Sequence, residues 1–183
     1  MARIVGKIRT SDGFLVDPFN PTLNDIKPHV FIHAICCLNR FTGHASHPYS
    51  VGQHSLILAK HVPGHIQRAA VVHDFGEAWF NDIASPVKAE LPQYKKHEHA
   101  AMLFIAQSLG VGADELLELD YYDKQIYLNE RNALFPVRHG IGPGDDRSGL
   151  PIAEWHFYER NWRDVRSELI AMFAALFPEY GVR

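Results

Sequence analysis

The sequence predicts an all-α fold, a single helical bundle with a short β-hairpin at its N-terminal edge. From about residue 30 onward, apolar residues recur at helical spacing, and proline and glycine divide the chain into segments of helix length. Before that point, strand-like residues 3–9 and 14–17 flank the turn residues Ser11, Asp12 and Gly13. No repeat or linker interrupts this order, so we expect one domain over residues 1–183.

Each predicted helix has identifiable ends. The helices are expected at about residues 30–40, 50–61, 65–80, 92–110, 114–135 and 153–177, with Asp114 as a cap. Ser50 and Gln53 have the pattern of a capping box. Pro86 is suited to open a short turn after the loop 81–86. Residues 139–146 are rich in glycine but lack the Lys-Ser/Thr end of a P-loop, so we expect a surface connection there. The last helix carries an apolar stripe formed by Trp162, Val165, Leu169, Met172 and Leu176.

The composition argues against several classes of protein. A length of 183 residues with 46% hydrophobic residues suits one core, and the net charge of −3 lacks the basic excess of a nucleic-acid-binding protein. No apolar run approaches the roughly 20 residues of a membrane span. The N-terminus lacks the apolar stretch of a signal peptide. We therefore expect a cytoplasmic protein whose partners include no nucleic-acid polymer and no membrane.

The most informative position is the adjacent pair His73 and Asp74, which lies in the largely apolar run 69–79. Burying a carboxylate without a partner costs several kcal/mol, so a positive charge should meet Asp74 there. A divalent metal ion suits this position, because imidazole and carboxylate groups are both good metal ligands.

Further acidic and imidazole groups accompany this pair. His54 lies one predicted helix earlier, and Asp123 or Asp120 lies two long helices later. Glu77 follows His73 by four residues, so the two should share one helix face. Metal sites in helical bundles are commonly built from side chains of several packed helices. The pattern predicts one divalent ion, with Zn²⁺, Co²⁺, Mn²⁺, Fe²⁺ and Ni²⁺ as candidates.

The order of these residues resembles a known family, the HD-domain phosphohydrolases. Their signature H…HD…D is matched by His54, by the pair His73 and Asp74, and by Asp123. Residues 38–41, 51–55, 73–77 and 82–88 also resemble blocks of the bacterial 5′-deoxynucleotidases and of phage dATP triphosphohydrolases, and residues 40–44 favour the phage type. These blocks cover a core of about residues 25–135. Within the family pattern, Lys124 and Glu130 favour Asp123 over Asp120 as the distal ligand.

The resemblance implies roles for further residues. Glu77 and Asp82 are expected to be catalytic, as proton carriers or positioning groups. Arg40 is expected to clamp a phosphate and Lys88 to meet a longer phosphate chain. Phe41, Trp79 and Ile83 are expected to wall the base or deoxyribose. Two residues depart from the pattern: Phe41 replaces the tryptophan of the deoxynucleotidases, and Gln53 replaces a glutamate and is expected to tune the neighbouring metal ligand.

The function that this resemblance implies is metal-dependent hydrolysis of a deoxynucleotide. The leading expectation is a dATP triphosphohydrolase that releases deoxyadenosine and triphosphate, with dADP and dAMP as further candidate substrates. The alternatives are a 5′-deoxynucleotidase acting on dNMPs and a non-catalytic nucleotide-binding HD module. The apolar C-terminal helix and the hairpin also offer surfaces for packing on a neighbour, so we expect a homo-oligomer.

Overall fold

The computed structural model describes residues 6–135 and 149–181, and within them it confirms the all-α class. The helices are α1 Pro28–Cys37, α2 Val51–His61, α3 Gln67–Val72, α4 Glu77–Phe80, α5 Ser85–Ala89, α6 Pro92–Ser108, α7 Ala113–Leu134 and α8 Trp162–Leu176. The strands β1 Ile8–Arg9 and β2 Leu15–Val16 form an antiparallel hairpin. Short 3₁₀ turns cover Leu23–Asp25, Phe41–Gly43, Gly64–Ile66, Glu154–Phe157 and Pro178–Tyr180.

Helix α2 lies at the centre of the core and packs on α1, α3 and α8. Every residue from Val51 to Ala59 is buried, so even its polar side chains lie inside the protein. At the start of α2, only one of the two hydrogen bonds of the predicted capping box forms. The Ser50 hydroxyl accepts a hydrogen bond of 3.0 Å from the Gln53 N–H. The Gln53 side chain donates instead to the Tyr158 carbonyl at 2.9 Å, so it joins α2 to the C-terminal segment.

The single helix predicted at residues 65–80 was wrong. Helix α3 ends at Val72, and α4 begins only at Glu77. In between, the Phe75 N–H donates to the Val72 carbonyl and the Glu77 N–H to the Asp74 carbonyl, bonds that span three residues and belong to tight turns. Gly76 lies in this break, where a β-carbon would stand 3.3 Å from Met102 Cβ of α6. The His–Asp pair therefore lies at a helix break that packs against α6.

The C-terminal helix also begins later than predicted. Residues Glu154–Phe157 form a 3₁₀ turn, and α8 starts at Trp162, where the Asn161 side chain accepts a hydrogen bond from the Arg163 N–H. The cap at the start of α7 differs as well: the Gly112 N–H donates to Glu115, and Asp114 lies in the first turn. The predicted connection at 139–146 and residues 3–5 of the hairpin lie outside the described residues.

The two surfaces expected to pack on a neighbour differ in availability. On α8, Val165, Leu169 and Phe173 are fully buried within this chain. On the hairpin side, Phe14 and Leu23 are 62% and 71% exposed.

In the described ranges no single helix has the length and apolar character to cross a membrane. Helices α6 and α7 meet that test only together, as a pair bent by 119°.

A close contact between α1 and α2 makes Gly52 sensitive to substitution. A β-carbon at Gly52 would lie 2.5 Å from Cys36 Sγ and 3.1 Å from Cys36 Cα. We expect Gly52→Ala to lower the free energy of unfolding, because overpacking costs about 1–3 kcal/mol while helix propensity returns at most about 1 kcal/mol. Urea denaturation measures the change.

Gly64→Ala is the matched control, since a β-carbon there meets nothing within 4 Å. Its change should stay within about 0.5 kcal/mol. Equal stability of the Gly52→Ala protein and the wild type would contradict the close packing of α1 on α2.

Candidate metal centre

Side chains from three parts of the bundle meet at one point. His54 comes from α2, His73 and Asp74 come from the break after α3, and Asp123 comes from α7. The Nε2 atoms of His54 and His73 lie 3.3 Å apart, and His54 Nε2 lies 3.1 Å from Asp123 Oδ1. Asp74 Oδ2 lies 3.2 Å from His73 Nε2 and 3.8 Å from His54 Nε2. The ligand atoms of His54, His73 and Asp123 all lie within 4.8 Å of one another, which suits a single divalent metal, and Asp74 lies beside His73 at the edge of this set.

The two carboxylates support the fit. Asp74 Oδ2 and Asp123 Oδ1 are buried, and neither has a hydrogen-bond partner within the described part of the chain. A buried charged oxygen without a partner is costly, and a cation between the two carboxylates removes that cost.

The two imidazoles are held so that the same nitrogen of each faces the centre. His54 Nδ1 lies 2.6 Å from Glu130 Oε1, and His73 Nδ1 lies 2.9 Å from the Ala70 carbonyl. Because both partners are acceptors, each Nδ1 carries a hydrogen, so Nε2 is the nitrogen of each ring that can ligate a metal ion. The two Nε2 atoms lie 3.3 Å apart, so one metal ion can bind both, with release of any proton that they carry.

The electrostatic field at the centre favours positive charge. Burial and Arg40 lower the pKa of His54, but Glu130 and Asp123 outweigh them and raise it to about 10. Burial raises the pKa of Asp74, but His73, His54 and Arg40 outweigh it and lower this pKa to about 2. The protein thus surrounds Nε2 of His54 with carboxylates that stay ionised, which is the environment that a divalent cation needs.

Glu130 is the functional residue that our reading of the sequence left without a role. It is fully buried, and its carboxylate binds His54 Nδ1, the Tyr49 hydroxyl at 2.9 Å and the Arg40 guanidinium at 3.2 Å. Burial raises its pKa, but Arg40 and His54 outweigh burial and hold the pKa below its usual range. The signal in the sequence was the spacing, since Glu130 follows Asp123 by seven residues, two helical turns on the same face.

Arg40 is anchored beside the centre by backbone pairing. Its N–H donates to the Tyr49 carbonyl and the Val51 N–H donates to the Leu38 carbonyl, both at 2.9 Å. The next two residues, Phe41 and Thr42, have φ of 56° and 54°, a left-handed conformation that costs energy in residues with a side chain. The chain therefore holds a strained turn at the residues that follow Arg40.

The two predicted phosphate cations are already paired. Arg40 Nη1 lies 3.6 Å from Asp74 Oδ2, in addition to the contact with Glu130, and Lys88 Nζ lies 2.7 Å from Glu98 Oε1. Both side chains are largely buried. Their positions fit the predicted roles, but a phosphate would have to share each cation with a carboxylate.

Two pockets flank the centre. The metal-side pocket, about 380 Å³, contains the candidate ligands His73, Asp74 and Asp123 in its lining, together with Gly76, Glu77, Lys88, Lys95, Glu98, His99, Met102 and Asp120. The Phe41 pocket, about 170 Å³, is lined by Arg40, Phe41, Asp82, Ala84, Ser85, Pro86 and Tyr127. The predicted catalytic residues are thus divided, with Glu77 in the first pocket and Asp82 in the second.

Two residues predicted to contact the substrate, Trp79 and Ile83, do not line either of these pockets. Trp79 packs edge-on against Phe31 with ring centres 5.2 Å apart, and it lines a separate pocket of about 730 Å³ beneath the hairpin. Ile83 is partly exposed and lines none of the three pockets. Trp79 therefore serves the core, whereas Phe41 does lie in a pocket beside Arg40.

The two candidate acids are perturbed in the same direction. Burial, then the charges of Asp74 and Asp82, raise the pKa of Glu77 well above its usual value. Burial also raises the pKa of Asp82, although Arg40 opposes the shift. Glu77 Oε2 is buried without a hydrogen-bond partner in the described residues. A carboxyl group whose pKa is raised is better suited to donate a proton to a leaving oxygen.

The structure separates the two candidates for the distal ligand. Asp123 Oδ1 lies against His54, whereas Asp120 is exposed and pairs with Lys124 one turn away.

Gln53 does not contact the metal ligands through its side chain, because that side chain binds the Tyr158 carbonyl. The expectation that Gln53 tunes its neighbour was therefore wrong, and the contact to the far nitrogen of His54 comes from Glu130.

A helical bundle that brings two imidazoles and two carboxylates together offers a candidate site for a divalent metal ion. Residues 35–131 match the family described as HD domain, so the chain belongs to the HD domain family. The chain is also 33% identical over 163 residues to the uncharacterized protein YfdR of Escherichia coli (strain K12), covering 82% of this chain and 89% of that protein. The predicted HD family is confirmed; HD domains bind divalent metals, and His54, His73 and Asp123 form a cluster that could hold one.

The first prediction for the centre concerns its distal ligand. We expect Asp123→Asn to weaken metal binding by at least tenfold, because it removes a charged ligand oxygen. Asp120→Asn, three residues away on the same helix, should leave the affinity unchanged. Competition with a chromophoric chelator measures both. A loss confined to Asp120→Asn would reverse the assignment.

The second prediction concerns Glu130. We expect Glu130→Gln to lower metal affinity about ten- to a hundredfold, since the His54 imidazole loses a charged partner that fixes its orientation. Glu118→Gln is the control on the same helix, as Glu118 is exposed and its carboxylate pairs with His65, away from the centre. Circular dichroism confirms that each variant is folded. An unchanged affinity in folded Glu130→Gln protein would rule out the positioning role.

Proposed function

We propose that the protein is a metal-dependent phosphohydrolase that acts on deoxynucleotides. The observation that carries the proposal is the convergence of His54, His73, Asp74 and Asp123, with two buried carboxylate oxygens that have no hydrogen-bond partner within the described residues. Membership of the HD domain family supports the reaction class.

The ligand set fits a divalent ion held by the two Nε2 atoms and one oxygen from each aspartate. Such an ion, when bound, polarises a phosphate and makes a coordinated water acidic enough to act near neutral pH. Glu130 holds the tautomer of His54, and the Ala70 carbonyl holds that of His73. Glu77 lines the same pocket, and its raised pKa suits it to donate a proton to the leaving oxygen.

The positions of the two pockets support a nucleotide that lies across the centre. Arg40 contacts Asp74 and lines the Phe41 pocket, so a phosphate at the metal lies within reach of its guanidinium. The aromatic rings of Phe41 and Tyr127, 6.0 Å apart, suit the sugar or base. The metal-side pocket on the other side has the volume and the lysines for further phosphates.

We therefore propose hydrolysis of the dATP triphosphohydrolase type, with deoxyadenosine and triphosphate as products. The second candidate is a 5′-deoxynucleotidase that acts on dNMPs. It is favoured by the pairing of Lys88 with Glu98 and of Arg40 with Glu130, which leaves less free positive charge for a long phosphate chain.

We further propose that a small deoxynucleotide is the partner and that copies of the chain associate through the exposed hairpin side.

The test is a substrate panel. The pure protein is incubated with each dNTP, with dADP and dAMP, and with the matching ribonucleotides, under Mn²⁺, Co²⁺, Zn²⁺, Ni²⁺ or Fe²⁺. We expect chromatography to show deoxynucleoside from dATP, released together with triphosphate, and little product from ATP. Release of nucleoside from dNMPs alone would favour the second candidate.

Variants of the candidate ligands distinguish hydrolysis by this protein from hydrolysis by a contaminating enzyme. His73→Ala and Asp74→Asn should reduce turnover by at least a hundredfold, since each removes a metal ligand, while Asp120→Asn should retain it. A metal-loaded wild type that releases nucleoside from no substrate contradicts the proposal and favours a non-catalytic nucleotide-binding module.

A further inference from the structure

We propose that Lys95 on α6, assisted by His99, binds the phosphates beyond the first and thereby sets the length of the phosphate chain that the site accepts. This inference rests on the proposed function, because it takes the first phosphate to lie at the metal centre. It concerns α6, an element to which our reading of the sequence gave no site residue.

One face of α6 forms a wall of the metal-side pocket. Lys95, Glu98, His99 and Met102 all line it, and their spacing of three, four and seven residues places them on a single helix face. The Met102 end of this face packs against Gly76, which lies in the break that carries the candidate ligands. Seven residues of helix span roughly 10 Å, so the face leads from the metal centre outward to Lys95.

Lys95 is available to bind an anion, because the neighbouring carboxylates of this pocket pair with other lysines. Glu98 is neutralised by Lys88 at 2.7 Å, and Asp120 is neutralised by Lys124. Within the described residues, Lys95 forms no ion pair within 4.0 Å, although it lines the pocket.

The remaining carboxyl groups of the pocket, Asp74, Asp123 and Glu77, have other roles than pairing with Lys95. The two candidate aspartate ligands offset the charge of a divalent ion, and Glu77 is the candidate proton donor. Among the described residues, Lys95 is thus the lysine of this lining that has no carboxylate within 4.0 Å.

The chemistry of the wall selects an anion over a nucleobase. Bases bind against apolar or aromatic surfaces, and among the described residues that line this pocket only Met102 offers a large apolar side chain. Lys95 and the exposed His99 present nitrogen donors one helical turn apart, which suits successive phosphate groups. The aromatic rings lie in the opposite pocket, which leaves the α6 side for the phosphate chain.

The neighbouring lysine supplies a matched control. Lys96 is exposed, lines none of the three pockets and points about 100° away around the helix. Isothermal titration of the metal-loaded protein uses two probes, inorganic triphosphate and orthophosphate, each as its Mg²⁺ complex. We expect Lys95→Ala to weaken triphosphate binding about tenfold at low salt and orthophosphate binding far less. Lys95→Arg should retain most of the affinity, and Lys96→Ala should match the wild type.

Turnover gives an independent measurement. For Lys95→Ala we expect the ratio of kcat/KM for dATP to that for dAMP to fall about tenfold, through KM. Equal triphosphate affinity in Lys95→Ala and Lys96→Ala proteins, or an equal loss for both probes, overturns the inference. If the wild type hydrolyses nothing but triphosphate binding still depends on Lys95, the proposed function fails and the phosphate site stands.

Discussion

The carboxylate of Glu130 is the group on which the rest of the candidate centre depends. It has no contact with solvent, and it meets an imidazole, a phenol and a guanidinium at once. A buried charge of this kind is stable only if every partner stays in place. The same contacts fix the tautomer of His54 and hold the Arg40 side chain against Asp74. Helices α2 and α7 and the turn after α1 are therefore aligned by one side chain that does not itself face the metal position.

The helix break at the His–Asp pair shows why the local structure differs from the pattern. In a regular α-helix, adjacent side chains do not face one another. His73 and Asp74 nevertheless reach the same point, 3.2 Å apart, where the α-helical hydrogen bonding stops. The apolar periodicity continues through the break, because Phe75, Trp79 and Phe80 are all buried, so hydrophobic spacing alone could not reveal it. The packing of Met102 on Gly76 is a contact between distant parts of the chain, which periodicity does not encode.

The same distinction explains which site residues could be predicted. The pair His73 and Asp74 was predictable from its apolar surroundings, because buried charged groups need partners. The choice of Asp123 over Asp120 as a further ligand came from the resemblance to the family. The contacts of Gln53 and Trp79 were not predictable in this way. The Gln53 amide meets a carbonyl 105 residues later, and Trp79 lies against Phe31. Both contacts are set by tertiary packing, for which a single sequence gives no spacing signal.

The link between Gln53 and Tyr158 also has a consequence for cooperativity. The family match ends at residue 131, yet α8 packs on α1 and α2, and the carbonyls of Phe157 and Tyr158 accept hydrogen bonds from His47 and Gln53. Gln53 is the residue immediately before His54. Opening of the C-terminal segment would therefore expose polar groups of the most buried helix, which ties that segment to the same unfolding unit as the centre. The part of the chain that resembles its family is thus not the whole of what folds around the metal position.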